Sequence, residues 1–181
     1  LGHLALWTTP EAVAESCPQF DSAAGIAVTA DVRLDNRDDL LRDLRLAETA
    51  AARAIGDVEL IARAYEKWGD DCVLHLVGDF AFALWDRRKN RLLCVRDPIG
   101  IRPFYYFVDD HRFLFGTEIK AIFTHAGISR ELNPLRLALF VIGGHFEADQ
   151  THFKAIHSLE PATCLTIDAN GARTRRYWTL D

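Results

Sequence analysis

The sequence predicts an α+β fold made of two stacked, mainly antiparallel sheets with helices outside. Three observations carry this. Strand-like and helix-like stretches come in blocks, without the strict βαβ alternation of a parallel sheet. The run from Asp79 to Asp86 is apolar on both faces, with Phe80, Phe82 and Leu84 on one and Ala81, Ala83 and Trp85 on the other. Such a strand is covered from both sides. Polar turns at Arg87 to Asn90, at Asp109-Asp110 and at Asn170-Gly171 separate paired apolar runs, the mark of hairpins.

The elements follow in order. Gly25 to Leu34 reads as a strand, with Ile26, Val28, Val32 and Leu34 as its apolar positions. Asp35-Asn36 offers a helix N-cap, Asp38 and Asp39 favour the first turn, and Leu40, Leu41 and Leu44 form the stripe. After an alanine-rich stretch over residues 47 to 54, Gly56-Asp57 starts a second helix. Val58, Ile61, Ala62, Tyr65 and Trp68 fall on one of its faces, and Gly69 closes it. The Phe80-to-Trp85 strand is expected at the centre of its sheet, with Arg91 to Arg96 as its return strand. Phe104 to Val108 and Arg112 to Phe115 form the next hairpin. Thr117 is placed to cap a helix over Glu118 to Thr124. Asn133-Pro134 starts another, with Leu135, Leu139 and Ile142 as its stripe and Gly143-Gly144 as its end. Thr163 to Ile167 and Ala172 to Trp178 make the last hairpin.

Composition narrows the classes. The 181 residues are 49% hydrophobic and 26% charged, the balance of one packed domain rather than a disordered tail. A net charge of -5 argues against nucleic acid as a partner. No apolar stretch reaches the roughly 18 residues of a membrane span. The four cysteines, Cys17, Cys72, Cys94 and Cys164, show no CxxC and no zinc spacing. They read as free thiols, and with no signal peptide at Leu1-Gly2-His3 they point to a reducing, cytoplasmic setting. No phosphate-binding loop, nucleophile elbow or HExxH is present. The paired carboxylates Asp38/Asp39, Asp70/Asp71 and Asp109/Asp110 sit at turns and helix ends, where solvated or capping roles are ordinary. Arg96 to Pro103 reads as a structured crossover in which Arg96 and Asp97 pair and Gly100 takes a positive φ. From the residues alone the reading stops at an α+β domain.

Longer runs carry more. Gly78 to Asp86, Arg96 to Tyr106, Phe115 to Ala121, Thr151 to Pro161 and Arg176-Tyr177-Trp178 together resemble the class II glutamine amidotransferase domain of the asparagine synthetase family. The resemblance spans nearly the whole chain, as one domain over residues 1 to 181. It implies a four-layer αββα sandwich of the N-terminal-nucleophile type, truncated here at its N-terminus. It also implies a downstream synthetase domain, absent from this chain, as partner, with ATP and Mg2+ as cofactors of that domain. An edge left unpaired by the truncation would invite a second copy, a homo-oligomer.

In that family an N-terminal Cys attacks the glutamine amide with its own α-amino group as base. An Asn and a Gly N–H hold the oxyanion, an Arg holds the substrate carboxylate, and an Asp holds its amino group. Position 1 here is Leu, so no catalytic residue is assigned. Ala5 matches the carboxylate-binding Arg. Asp31 matches the oxyanion Asn and Val32 the Gly, in a run, Asp31-Val32-Arg33-Leu34-Asp35-Asn36, where the family has Asn-Gly-Glu-Ile-Tyr-Asn. An ionised Asp only accepts hydrogen bonds and repels an oxyanion. Val32 keeps its N–H, but its branches are expected to crowd the site. Asp57 matches the amino-binding Asp and is equally placed to cap its helix. The pattern resembles the β-lactam synthetases and lasso peptide cyclases, whose glutaminase site has decayed, and the run from Asp31 to Leu40 favours the latter. The implied function is a glutaminase-like domain, inactive toward glutamine, that serves an ATP-dependent amide-forming enzyme as a structural platform. The alternative is a working glutaminase whose Cys lies upstream of this chain.

Overall fold

The structure, a computed structural model, describes residues 1–4, 11–13, 15–47, 55–144 and 148–180. Nine strands form two antiparallel sheets among these residues. The larger sheet has the order β1 (Gln19–Asp21), β2 (Ile26–Leu34), β3 (Gly78–Asp86), β4 (Arg91–Arg96), β8 (Thr163–Asp168) and β9 (Gly171–Arg176). The smaller runs β6 (Phe113–Gly116), β5 (Tyr105–Val108) and β7 (His157–Ser158). Four helices accompany them: α1 (Arg37–Asp43), α2 (Asp57–Trp68), α3 (Ile119–Ile122) and α4 (Pro134–Val141). No described helix is long and apolar enough to cross a membrane.

β3 shows why the layers stack. Phe80, Phe82 and Leu84 join Val28, Val95 and the α2 residues Val58, Leu60, Ile61 and Tyr65 in one core between the large sheet and its helices. Ala81 and Ala83 look the other way and join Cys94, Leu165, Phe104 and Leu159 in a second core between the two sheets. A third core, with Phe107, Ile122, Ile128 and Ile156, lies beneath the small sheet and takes in α3. Burying a side chain such as Phe82 contributes roughly 1.5–3 kcal/mol. The αββα arrangement and the central, doubly buried β3 therefore stand as the sequence implied.

Several local expectations are corrected. Asn36 is the N-cap residue of α1, but its side chain caps nothing. Its amide instead donates to His75 O at 2.9 Å and accepts from Val77 N–H at 3.1 Å, tying α1 to the approach of β3. Thr117 does not cap α3; Glu118 holds that position, and the helix is only four residues long. Helix α4 does have Asn133 as a working cap, accepting from Arg136 N–H at 3.2 Å. Its expected core-facing stripe is not buried. Arg96 and Asp97 do not pair side chain to side chain. Arg96 donates to the carbonyls of Gly100, Arg102 and Leu159 and to the Ser158 hydroxyl. Asp97 accepts from the N–H groups of Ile99, Ile101 and Arg102. Gly100 does take a positive φ, 73°. Residues 69–75 wind as a 3-10 helix after α2, and the short strands β1 and β7 carried no clear sequence signal. The alanine-rich stretch lies mostly outside the described residues.

Candidate functional site

A cavity of about 1020 Å³ opens between the two sheets. The large sheet supplies Thr29 to Val32 of β2 and Ala81 to Ala83 of β3, and the opposite wall comes from Phe104 and from Phe115 to Glu118. Ser16 and Cys17 close one side. The small residues Ala81 and Ala83 of β3 line the cavity on the large-sheet side while packing in the core between the sheets.

The β2–β3 register decides what points in. Asp31 pairs with Ala81 and Val32 with Phe80. Cross-strand partners share a face, so Asp31 projects toward the cavity and Val32 toward the helices. Val32 packs against the helix-side core. Val32 lines the cavity as well, so it takes part in both the core and the cavity wall. Asp31 makes an ion pair with Arg102 at 3.3 Å. Arg102 leaves the crossover whose backbone Asp97 holds, so the cavity wall and the crossover are mechanically joined.

Asp57 lies at the first residue of α2 and is 3% exposed. Its Oδ2 accepts the Leu34 N–H at 3.0 Å, and its Oδ1 is ion-paired with Arg37. Arg37 also donates to Ile55 O. Asp57 thereby ties the end of β2 to the starts of α1 and α2, and it is not the cap of its own helix: Gly56 holds that position. The orphan N–H groups of α2 go to Glu15, whose Oε1 accepts from Val58 at 2.7 Å and Glu59 at 3.3 Å. Burial raises the Glu15 pKa more than these bonds lower it. Burial also pushes the Cys17 thiol up, although Thr29 Oγ1 lies 3.7 Å from its sulfur. Ala5 lies outside the described residues.

The site thus brings Asp31 and Val32 together at the cavity wall, with Asp57 buried behind β2. Arg37, Arg102 and Glu15 were missed in the sequence. Their partners are 20, 71 and 43 positions away, and no local pattern announces such pairs. No described cluster of His, Cys, Asp or Glu fits a metal ion.

This fold agrees with what the chain is similar to. It matches the glutamine amidotransferase domain family over residues 4–178. It is 38% identical over 149 residues to asparagine synthetase [glutamine-hydrolyzing] 3 of Bacillus subtilis (strain 168), covering 82% of this chain and 24% of that protein. It is 34% identical over 136 residues to asparagine synthetase [glutamine-hydrolyzing] 2 of the same organism, covering 71% and 18%. Among solved structures, glutamine phosphoribosylpyrophosphate amidotransferase from B. subtilis, complexed with ADP and GMP, superposes with a TM-score of 0.61 at 17% identity, over 98% of this chain and 34% of that one. That last likeness shows the fold. The chain belongs to the glutamine amidotransferase domain family, and it spans about a quarter or less of the length of the asparagine synthetases it matches.

Proposed function

We propose that this domain does not hydrolyse glutamine and serves as a folded platform for an ATP-dependent, amide-forming partner region of the kind its longer relatives have room for. The observation that carries the reading is Asp31. At the position matched to an oxyanion donor, the cavity presents a carboxylate, which has no hydrogen to donate when ionised. Its pairing with Arg102 at 3.3 Å supports this, because the carboxylate is already engaged by a guanidinium. Losing one oxyanion donor costs roughly 2.7–4 kcal/mol of transition-state stabilisation in enzymes that rely on one. Asp57 adds support: it is buried, tied to Leu34 N–H and Arg37, and is not among the residues that line the cavity. In this reading ATP and Mg2+ belong to the partner region, and the amine it uses is already present in its substrate, as in lasso cyclization.

One observation favours the second reading, a working glutaminase: the names of the relatives at 38% and 34% identity specify glutamine hydrolysis. Glutamate release by the intact polypeptide decides between them. The platform reading expects no glutamate above background while ATP-dependent amide formation proceeds. Glutamate release above background would establish the glutaminase.

A further inference from the structure

Helix α4 breaks the rule the other long helix obeys. From Pro134 to Ile142 its one charged residue is Arg136, and the rest are apolar. A helix apolar around its circumference belongs in an interior. None of its residues is buried, and Leu135, Phe140, Val141 and Ile142 are 62%, 64%, 82% and 75% exposed. The helix is nonetheless firmly built. Asn133 caps its start, and Gly144 N–H closes its end on Leu139 O at 2.7 Å. Its base is fastened by Asn133 N–H to His152 O at 2.9 Å and by the bridge between Leu132 and Phe153. The molecule thus spends a well-formed helix on displaying apolar side chains to water.

We infer that α4 is the surface on which the ATP-using region of the same polypeptide docks; the inference rests on the platform reading. Two arguments select that occupant over a second copy of this chain. The first is size. Eight residues make a helix about 12 Å long, and two such helices face to face bury well under the about 1,200 Å² of a specific free-standing complex. A tethered partner works at an effective concentration of about mM, so a small apolar face suffices. The second is length. The matched stretch is 24% and 18% of the relatives' chains, which leaves most of each relative to cover such a face.

The test replaces Val141, in the intact polypeptide, with the photoreactive residue p-benzoylphenylalanine. Irradiation followed by mass spectrometry of peptides should show cross-links within one polypeptide to segments outside residues 1–181. The double variant Leu135→Asp, Ile142→Asp should lose them. Cross-links between two copies, or none beyond this domain, would overturn the inference. The result is separable from the platform reading, which fails on glutamine turnover whether or not α4 is cross-linked.

Discussion

Two buried carboxylates, Asp97 and Asp57, do similar work by different means. Asp97, fully buried, is satisfied by its own loop through three backbone N–H groups within five residues of it. Asp57 is satisfied across the fold, by Leu34 and Arg37, 23 and 20 residues away. The first folds its loop as it forms; the second can form only after two helices and a strand have met. A local knot shapes a loop, whereas a long-range knot fixes where elements sit. The cavity wall depends on both, since Arg102 of the crossover reaches Asp31 and Asp57 holds the end of the strand that carries Asp31.

The comparison can be broken most forcefully at Asp97. Asp97→Ala leaves three N–H groups without their acceptor, at about 1–3 kcal/mol each before relaxation. A loss of about 3–5 kcal/mol is expected in urea unfolding, and a loss under 1 kcal/mol would show that the crossover does not need its knot. Asp57→Ala should cost about 2–3 kcal/mol, since it strands a largely buried guanidinium and one N–H. A double-mutant cycle with Arg37→Met should give a coupling of about 1–3 kcal/mol; additive losses would mean the pair is incidental. Gly100→Ala sharpens the local side. Its φ of 73° disfavours a side chain, and the new Cβ would meet Pro161 Cγ at 2.8 Å, so about 1–2 kcal/mol is expected from thermal melting.

The smallest effects are pH-dependent and opposite in sign. Burial of Asp86 raises its pKa, but the Tyr65 hydroxyl, the Lys89 and Arg88 N–H groups and the Arg88 charge together bring it below the usual 3.8. Its contribution to stability is therefore present above about pH 4 and is lost as pH falls through the depressed value. Glu15 is raised above 4.5, mainly by burial, so its contribution grows as pH falls through that raised value. Melting temperatures between pH 3 and 7 should show Asp86→Asn flattening the acid loss and Glu15→Gln removing part of an acid gain. The same slope in both variants would contradict the assignment.

Much of this was legible in the sequence where the physics is local. Alternation over Phe80 to Trp85 marked the doubly buried strand, and the period of Val58, Ile61 and Tyr65 marked α2 with its ends in place. Asp31 was singled out in the sequence, and the register of β2 turns it toward the cavity. What stayed hidden depends on tertiary partners. The face that Val32 occupies follows from its register with Phe80, and the commitment of Asp57 follows from Arg37. The stripe expected on α4 had the right residues, but periodicity records only that a face is apolar, not what covers it.

The staple at Tyr177 carries a mechanical consequence. Its hydroxyl donates to Arg96 O at 2.7 Å and its N–H to Ala162 O at 2.8 Å, just past the outermost strand β9. Tension entering the chain after Tyr177 would otherwise peel β9 from β8 one bond at a time, starting at the Thr163–Arg176 pair. The staple meets that load first and passes it to the crossover and to β4, deep in the sheet. The exposed edge strand is thus shielded from unzipping by a residue that lies outside it.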